Sequence, residues 1–287
     1  MNKKSWLFYA LTTTVFWGVW GAMIELPGRA GFPPTLVYIV WALTMIPCAV
    51  AALAFIGWRL EYDYKSIFYG LAIGLTGAGG QIILFQALAS GPAYFVFPVI
   101  SLSPAVTVLL SVVFLKERTT KKHWIGIVFA LLAIVMMSIQ KPDNNMVSGY
   151  LWLILAIGVL LAWGIQAFIM KKANDHMKAE NTFFYMAISG VMLIPIAYFM
   201  TDFTLEINYG FKGPYLAALV SVLNSVGALT LVYAIRYGKV IIVAPLTNAV
   251  APIITVVLSL LMYAVIPNPV IIAGIVIALI AVYLMAE

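Results

Sequence analysis

Charge is scarce in this chain. Of its 287 residues only 9% are Asp, Glu, Lys or Arg, while 64% are hydrophobic. A soluble domain carries about 25% charged and 45–50% apolar residues, so a water-facing globule is excluded, as the mean hydropathy of +1.06 agrees. The single cysteine, Cys48, lies in an apolar run, which excludes an internal disulfide and a thiolate metal cluster. Only two histidines are present, His123 and His176, both at loop edges, so neither a metal site nor a cofactor is expected.

The ten acids are Glu25, Glu61, Asp63, Glu117, Asp143, Asp175, Glu180, Asp202, Glu206 and Glu287, and none falls in the middle of an apolar run. A charge at a helix centre costs about 2.5–3.5 kcal/mol on insertion scales, and the chain avoids that cost throughout. No buried counter-ion awaits a bare cation, and no acid chain relays protons, which argues against a polyvalent-cation exporter. The same scarcity argues against an intramembrane enzyme, because the serines have no deep histidine or acid to activate them.

What is there is hydrocarbon in long runs. Ten can be marked: Ser5–Ile24, Thr35–Ile56, Ser66–Leu88, Tyr94–Leu115, Trp124–Ser138, Gly149–Met170, Thr182–Met200, Gly213–Ile235, Val240–Ala264 and Pro269–Ala286. Runs of ~20 residues are the length that crosses a bilayer as a helix, and backbone groups in lipid must bond within their own segment. The expectation is an all-α polytopic membrane protein of ten transmembrane helices, its first a retained span since no small-residue cleavage site follows it.

The net charge of +6 sits in the loops, so it speaks to topology and not to nucleic acid, for which no partner role is expected. The N-terminus and loops 2–3, 4–5, 6–7 and 8–9 hold thirteen Lys and Arg residues; the alternate loops hold only Arg29, Lys141 and Lys212. By the positive-inside rule both termini are expected in the cytoplasm, in a multi-pass protein of the cell (inner) membrane.

The chain also repeats itself. Gly91 and Pro98 fall on Gly238 and Pro245 at a spacing of 147, and Pro104, Thr107, Ser111 and Gly126 on Pro252, Thr255, Ser259 and Gly274 at 148. GIVFALLAIVMM, from Gly126, matches GIVIALIAVYLM, from Gly274, at seven of twelve positions. Trp17-Gly18 matches Trp163-Gly164, and Gly80, Leu84 and Ala87 match Gly227, Leu231 and Ala234. A period near half the length is a duplicated unit: residues 1–141 and 149–287, joined by an external loop at 142–148. Five helices is an odd number, so the second unit is expected upside down relative to the first. Inverted repeats are a recurrent plan of secondary transporters, with the solute held near the midplane between them.

Two five-helix halves, each with Trp-Gly in its first helix and a proline-bearing fourth helix, resemble the drug/metabolite transporter superfamily, in its ten-helix EamA-like branch. So does the junction Phe114-Leu115-Lys116-Glu117-Arg118 followed by Ile125-Gly126. The resemblance covers nearly the whole chain and rests on the order and duplication of short motifs. It implies a bacterial inner-membrane carrier exporting amino acids or other small metabolites, with a cavity lined by helices 1, 3, 4, 6, 8 and 9. Two departures stand out: Glu117 has no counterpart in the second half, and the membrane-embedded acid of small four-helix relatives is missing.

Intramembrane polar groups are the candidate site residues, because hydrocarbon offers them no water. They are Gln81, Ser101, Gln166, Asn224 and Asn248, with the tryptophans Trp17, Trp20 and Trp163. Ser101 and Asn248 are equivalent in the repeat, each three residues after a proline that frees a carbonyl. Pro98, Ser101 and Pro104, and likewise Pro245, Asn248 and Pro252, would share one helix face. These polar groups either line the cavity or act as interhelical glue. Trp17 and Trp163 either wall a solute, with cation–π attraction for an ammonium, or simply pack.

Glu25, at the outer end of the first helix, either faces the solute path, as a coupling or gating group with Tyr94, or is an interfacial carboxylate near Arg29. Trp6, Trp41, Trp58, Trp124 and Trp152 are expected as interfacial anchors. Gly126/Ala130/Ala133 and Gly274/Ala278/Ala281 form matching small-residue seams, which pack the halves together or make a homodimer. The leading expectation is a transporter of a small neutral or zwitterionic solute; a carrier that flips a lipid-linked intermediate is the closest competitor, and a non-transporting scaffold a remoter one.

Overall fold

Proline, small residues and apolar runs dictate where the helices of this chain begin and break. The structure, a computed structural model, describes residues 5–115, 120–138, 149–173, 176–237, 240–263 and 268–286. Its helices are α1 (Ser5–Met23), α2 (Leu26–Arg29), α3 (Pro34–Phe55), α4 (Tyr64–Ser90), α5 (Ala93–Ile100), α6 (Ser103–Leu115), α7 (Lys121–Ser138), α8 (Leu151–Ala173), α9 (Ala179–Met192), α10 (Ile194–Phe199), α11 (Leu216–Tyr237), α12 (Val240–Tyr263) and α13 (Pro269–Ala286). No strand is present among the described residues. Each apolar run read from the sequence is mainly helical in its described part, with breaks at Ser101–Leu102 in the fourth and at Leu193 in the seventh.

The ends follow local chemistry. Asp63 caps α4, its carboxylate accepting from the amides of Lys65 and Ser66 at 3.1 and 3.2 Å. Pro34 and Pro269 open α3 and α13, where a missing N–H costs nothing, and Asn268 caps α13 through the Val270 amide at 2.9 Å. A π-turn at Phe211–Tyr215 leads into α11. There the Asn208 carbonyl lies where a Cβ on Gly213 would stand, so only glycine fits.

The fourth run departs from the sequence expectation. Pro104 has no N–H for the Ile100 carbonyl, and the chain turns at Ser101 and Leu102, with Leu102 N bonding Val99 O at 3.1 Å and Ala105 N bonding Leu102 O at 2.9 Å. α5 and α6 are therefore separate helices, and the single face expected for Pro98, Ser101 and Pro104 is interrupted. Its counterpart α12 runs through Pro245 and Pro252 without a break.

Seven segments among the described residues are long and apolar enough to cross a membrane by length and composition: Trp6–Arg29, Pro34–Phe55, Tyr64–Ser90, Ala93–Phe114, Leu151–Met170, Ala179–Phe199 and Phe211–Ala234. Val250–Met262 and Pro269–Leu284 are shorter apolar helices. The outer faces are hydrocarbon: Phe8, Leu131, Ile154, Phe199 and Leu261 are all exposed. Polar side chains turn inward, with Thr13, Ser189, Ser221, Ser225, Thr255 and Ser259 buried. Apolar outside and small or hydroxylic between helices is the inside-out economy of a bilayer protein. The chain is a multi-pass membrane protein.

Helices from the two halves of the sequence pack across each other. α1 lies against α11 and α12; α8 lies against α4, α5 and α6; α3 lies against α9 and α11; and α7 runs along α13. Ala130, Ala133, Ala278 and Ala281 on this last pair are buried. At one end, Asn208 ties the chain before α11 to the turn after α2, its N–H bonding Gly31 O at 3.0 Å and its Nδ2 bonding Ala30 O at 2.8 Å. At the other, Glu61 Oε2 accepts the Lys178 amide at 2.8 Å, and the Tyr185 hydroxyl donates to Glu61 O at 2.7 Å.

Candidate functional site

Two Trp-Gly pairs sit at the crossings. Trp17 on α1 donates its indole N–H to Asn224 O on α11 at 3.3 Å, and Trp163 on α8 donates to Gly77 O on α4 at the same distance. Each ring lies over a glycine of the opposite half, Trp17 over Gly227 and Trp163 over Gly80. One residue on, Gly18 O accepts the Thr255 hydroxyl at 3.0 Å and Gly164 O accepts the Thr107 hydroxyl at 2.9 Å. A β-carbon on Gly18 would stand 2.5 Å from Ile254 Cβ, and one on Gly164 would stand 2.5 Å from Val106 Cβ. The same contact is thus made twice, with the halves exchanged. Gln166, one turn beyond Trp163, presses its amide against Gly77.

Trp20 is buried and meets Phe97 edge-on, ring centroids 5.7 Å apart. Among the described residues its indole N–H has no hydrogen-bond partner, and neither does Nε2 of buried Gln81 on α4. Unpartnered buried donors are costly, and two of them fall among the expected site residues. Ser101 is buried, and its hydroxyl donates back to Pro98 O at 2.8 Å, so its proton is spent within its own helix. Asn224 is half-buried, and its side-chain oxygen accepts the Trp41 indole N–H at 2.8 Å. Pro98 and Pro252 are buried, Pro104 partly so. The side chains of Pro245 and Asn248 lie outside the described residues, as do Lys116, Glu117, Arg118 and the connecting loop.

Glu25 closes α1. It is 6% exposed and lines a cavity of about 330 Å³ with Arg29, at the meeting of the α1–α2 end, the start of α3 and the α4–α5 turn. The Arg29 guanidinium stands 3.7 Å from Glu25 Oε1, an ion pair longer than a hydrogen bond. The backbone amide of Ala93 faces the carboxylate, and Tyr94 lies within electrostatic reach of both charges. Glu25 lies about one helical turn along from Trp20, and Tyr94 is buried next in sequence to the Ala93 that the carboxylate faces. Among the described residues no three of His, Cys, Asp and Glu come together as a metal ion would need.

Two tryptophans expected as interfacial anchors are core residues. Trp41 is 5% exposed and spends its N–H on Asn224; beside it the Thr44 and Ser225 hydroxyls lie 2.9 Å apart. Trp152 is 1% exposed, stacks on Phe95 at 5.6 Å and backs onto Gly91. Nearness to a helix end does not expose them, because partner helices cover α3 and α8 there. Trp58 and Trp124 are exposed. Asn181, on the first turn of α9, is fully buried, and among the described residues neither of its amide atoms has a partner. Nothing in its sequence neighbourhood marks it out.

Comparison with known proteins adds the family. The model of the EamA-like transporter family matches this chain twice, at residues 4–139 and 150–286. An uncharacterized protein of Methanocaldococcus jannaschii is 39% identical over 79 residues, 28% of this chain and 58% of that one. An uncharacterized transporter of Archaeoglobus fulgidus is 30% identical over 150 residues, 49% of this chain and 50% of that one. The chain thus spans little more than half the length of these relatives. A Proteus mirabilis protein described as a probable 4-amino-4-deoxy-L-arabinose-phosphoundecaprenol flippase subunit, ArnE, is 31% identical over 110 residues, 37% of this chain and 96% of that one. A solved crystal structure superposes over 99% of this chain and 96% of its own, with a TM-score of 0.66 and 16% identity, a likeness of fold.

Proposed function

The chain belongs to the EamA-like transporter family, and from that premise we propose a secondary transporter that exports a small neutral or zwitterionic metabolite, amino-acid-like, across the cell's inner membrane. Its ten spans form two inverted five-helix units, residues 1–141 and 149–287, with both termini cytoplasmic. The solute occupies a path between the units and is released by alternating access. Trp17, Trp20, Gln81, Ser101, Trp163, Gln166, Asn224 and Asn248 line that path, and Glu25 with Tyr94 forms a gate at one end.

The observation that carries this reading is the doubled contact between the halves. Trp17 on Asn224 O and Trp163 on Gly77 O have equal length and exchanged partners. Two arrangements of near-equal energy, opening to opposite sides, follow from such an interface, and a static scaffold gains nothing from it. The small-residue seams of α7 and α13 are used inside the chain, so a homodimer would need another face.

Ligand-induced stabilisation tests the reading. A ligand at a hundred times its dissociation constant adds about 2.7 kcal/mol to folding if it binds only the native state. The purified protein is expected to be stabilised by zwitterionic amino acids or related metabolites, with the gain lost in Trp163→Ala. Stabilisation by lipid-linked sugars alone would move the assignment to the second reading, a flippase-type carrier, which the similarity to the Proteus mirabilis flippase subunit favours. Silence towards the whole panel contradicts both.

A further inference from the structure

Where α4 begins and α8 gives way to α9, the bundle holds a second cavity, of about 250 Å³, lined by Tyr64, Lys65, Phe68, Tyr69 and His176. Its walls are rings. Tyr64 stacks on Phe68 at 6.5 Å, Phe68 meets Tyr69 edge-on at 5.7 Å, and Tyr69 stacks on His176 at 5.6 Å with the planes 8° apart. Lys65 brings an ammonium, and among the described residues no carboxylate lines the cavity. The acids nearby are engaged elsewhere. Asp63 accepts the amides of Lys65 and Ser66 and the Ser66 hydroxyl, and Glu61 accepts the Lys178 amide. Lys65 itself forms no ion pair among the described residues. The cavity also sits where a membrane span starts, since Tyr64–Ser90 is long and apolar enough to cross. Tyr64 is 83% exposed and Phe68 57%, and at helical spacing they lead into half-buried Leu71 and exposed Leu75 on the same face. A cation and ring nitrogens thus stand at the head of an apolar stripe.

We propose that this cavity holds the phosphate of an anionic phospholipid, on the Lys65 ammonium and a His176 ring nitrogen, with an acyl chain along the Phe68–Leu75 stripe. Basic pockets beside membrane helices suit anionic headgroups, and an ammonium–phosphate contact is of the strong, charge-assisted kind. An imidazole donates from a ring nitrogen whether neutral or charged. The rings alone would suit a quaternary ammonium. Lys65 in the same wall sets the sign instead, with exposed Arg59 and Lys178 in the adjoining loops. The volume decides between a headgroup and a whole solute, because small-molecule sites run to about 300–1,000 Å³ and this one is smaller. A free phosphate would use the ammonium end only, whereas the exposed apolar stripe gives a lipid its further contact. The lining comes from α4 and from the turn between α8 and α9, so the lipid would bridge the two. This site lies apart from the Trp-Gly crossings and stands whatever solute the chain carries.

The test is native mass spectrometry of the full-length protein released from detergent and titrated with phosphatidylglycerol, phosphatidylcholine or soluble glycerol 3-phosphate. Phosphatidylglycerol is expected to bind more tightly than phosphatidylcholine, and glycerol 3-phosphate at the same concentration should not displace it. Lys65→Gln should weaken phosphatidylglycerol about fivefold, the worth of one lysine near an anionic surface, and Lys65→Arg should keep the affinity. His176→Phe, which leaves a ring against Tyr69, should weaken it about two- to tenfold, as one lost hydrogen bond would. Lys121→Gln, at an exposed lysine that opens α7, should change nothing, which separates a site from a general loss of charge. Melting of lipid-free Lys65→Gln at the parent temperature separates a lost contact from a lost fold. Equal affinity for the two lipids overturns the proposal, and so does phosphatidylglycerol binding unchanged in Lys65→Gln or weakened as much in Lys121→Gln. Displacement by glycerol 3-phosphate as readily as by the lipid overturns the lipid as occupant.

Discussion

The indole N–H of Trp17 donates to the backbone carbonyl of Asn224 at 3.3 Å, joining the first helix of the chain to a helix two hundred residues away. Trp163 makes the same bond to Gly77. Neither bond is strong, since polar contacts between membrane helices average about 0.6 kcal/mol. The two bonds are equivalent in length and in the exchange of their partners.

Equivalence is measurable. Trp17→Phe and Trp163→Phe are each expected to destabilise the protein by about 0.6 kcal/mol. Trp17→Ala and Trp163→Ala leave a cavity and are expected to cost about 3–5 kcal/mol. Denaturant unfolding in mild detergent checks this. Values that match within each pair support the exchanged interface, and a neutral Trp17→Ala beside a damaging Trp163→Ala would contradict it.

Glycine substitutions probe the same crossings. A β-carbon at Gly18 or Gly164 would lie 2.5 Å from Ile254 or Val106 Cβ, whereas one at Gly79 meets nothing within 4 Å. Gly18→Ala and Gly164→Ala are expected to destabilise by about 1–3 kcal/mol through overpacking, and Gly79→Ala to stabilise by about 0.5–1 kcal/mol as glycine leaves a helix interior. Thermal unfolding of the three variants decides it.

Trp41 ties α3 to α11 through the Asn224 side chain at 2.8 Å. Trp41→Phe keeps the ring but strands a half-buried acceptor, at an expected cost of about 1 kcal/mol. Trp58→Phe, at an exposed position, is expected to stay within about 0.5 kcal/mol of the parent. Equal effects in unfolding experiments would return Trp41 to the interface.

The Ser66 hydroxyl and amide hold the Asp63 carboxyl below its ordinary value of 3.8. The folded state therefore binds its proton less readily than the unfolded chain. The stabilisation is present above the unfolded pKa and is lost as pH falls through the lower folded one. Asp63→Asn is expected to flatten the stability profile in the window below about pH 4 and leave its shape near neutrality unchanged. Unfolding of both proteins across that range checks the sign.

The helices were legible because hydrocarbon runs of bilayer length leave the backbone no other choice. The repeat was legible because Pro98 has a partner at a spacing of 147 and Thr107 and Gly126 have partners at 148. The break between α5 and α6 was not, since Pro104 and Pro252 read alike and only α5–α6 departs from a continuous helix. Trp41 and Trp152 were misjudged because burial at a helix end depends on which neighbour covers it. The pairing of Glu25 with Arg29 could be read from a spacing of four. The cavity between them could not, because it is walled by α3, α4 and the turn after α4, elements that meet only once the chain has folded.

The measurement that bears most directly on the central claim is solute counterflow in proteoliposomes. Vesicles loaded with unlabelled β-alanine or a panel of amino acids are given trace labelled solute outside. The account predicts a transient, saturable accumulation of label, lost in Trp17→Ala and Trp163→Ala alike. Label that only equilibrates at the rate of protein-free vesicles, for every solute tried, would contradict it.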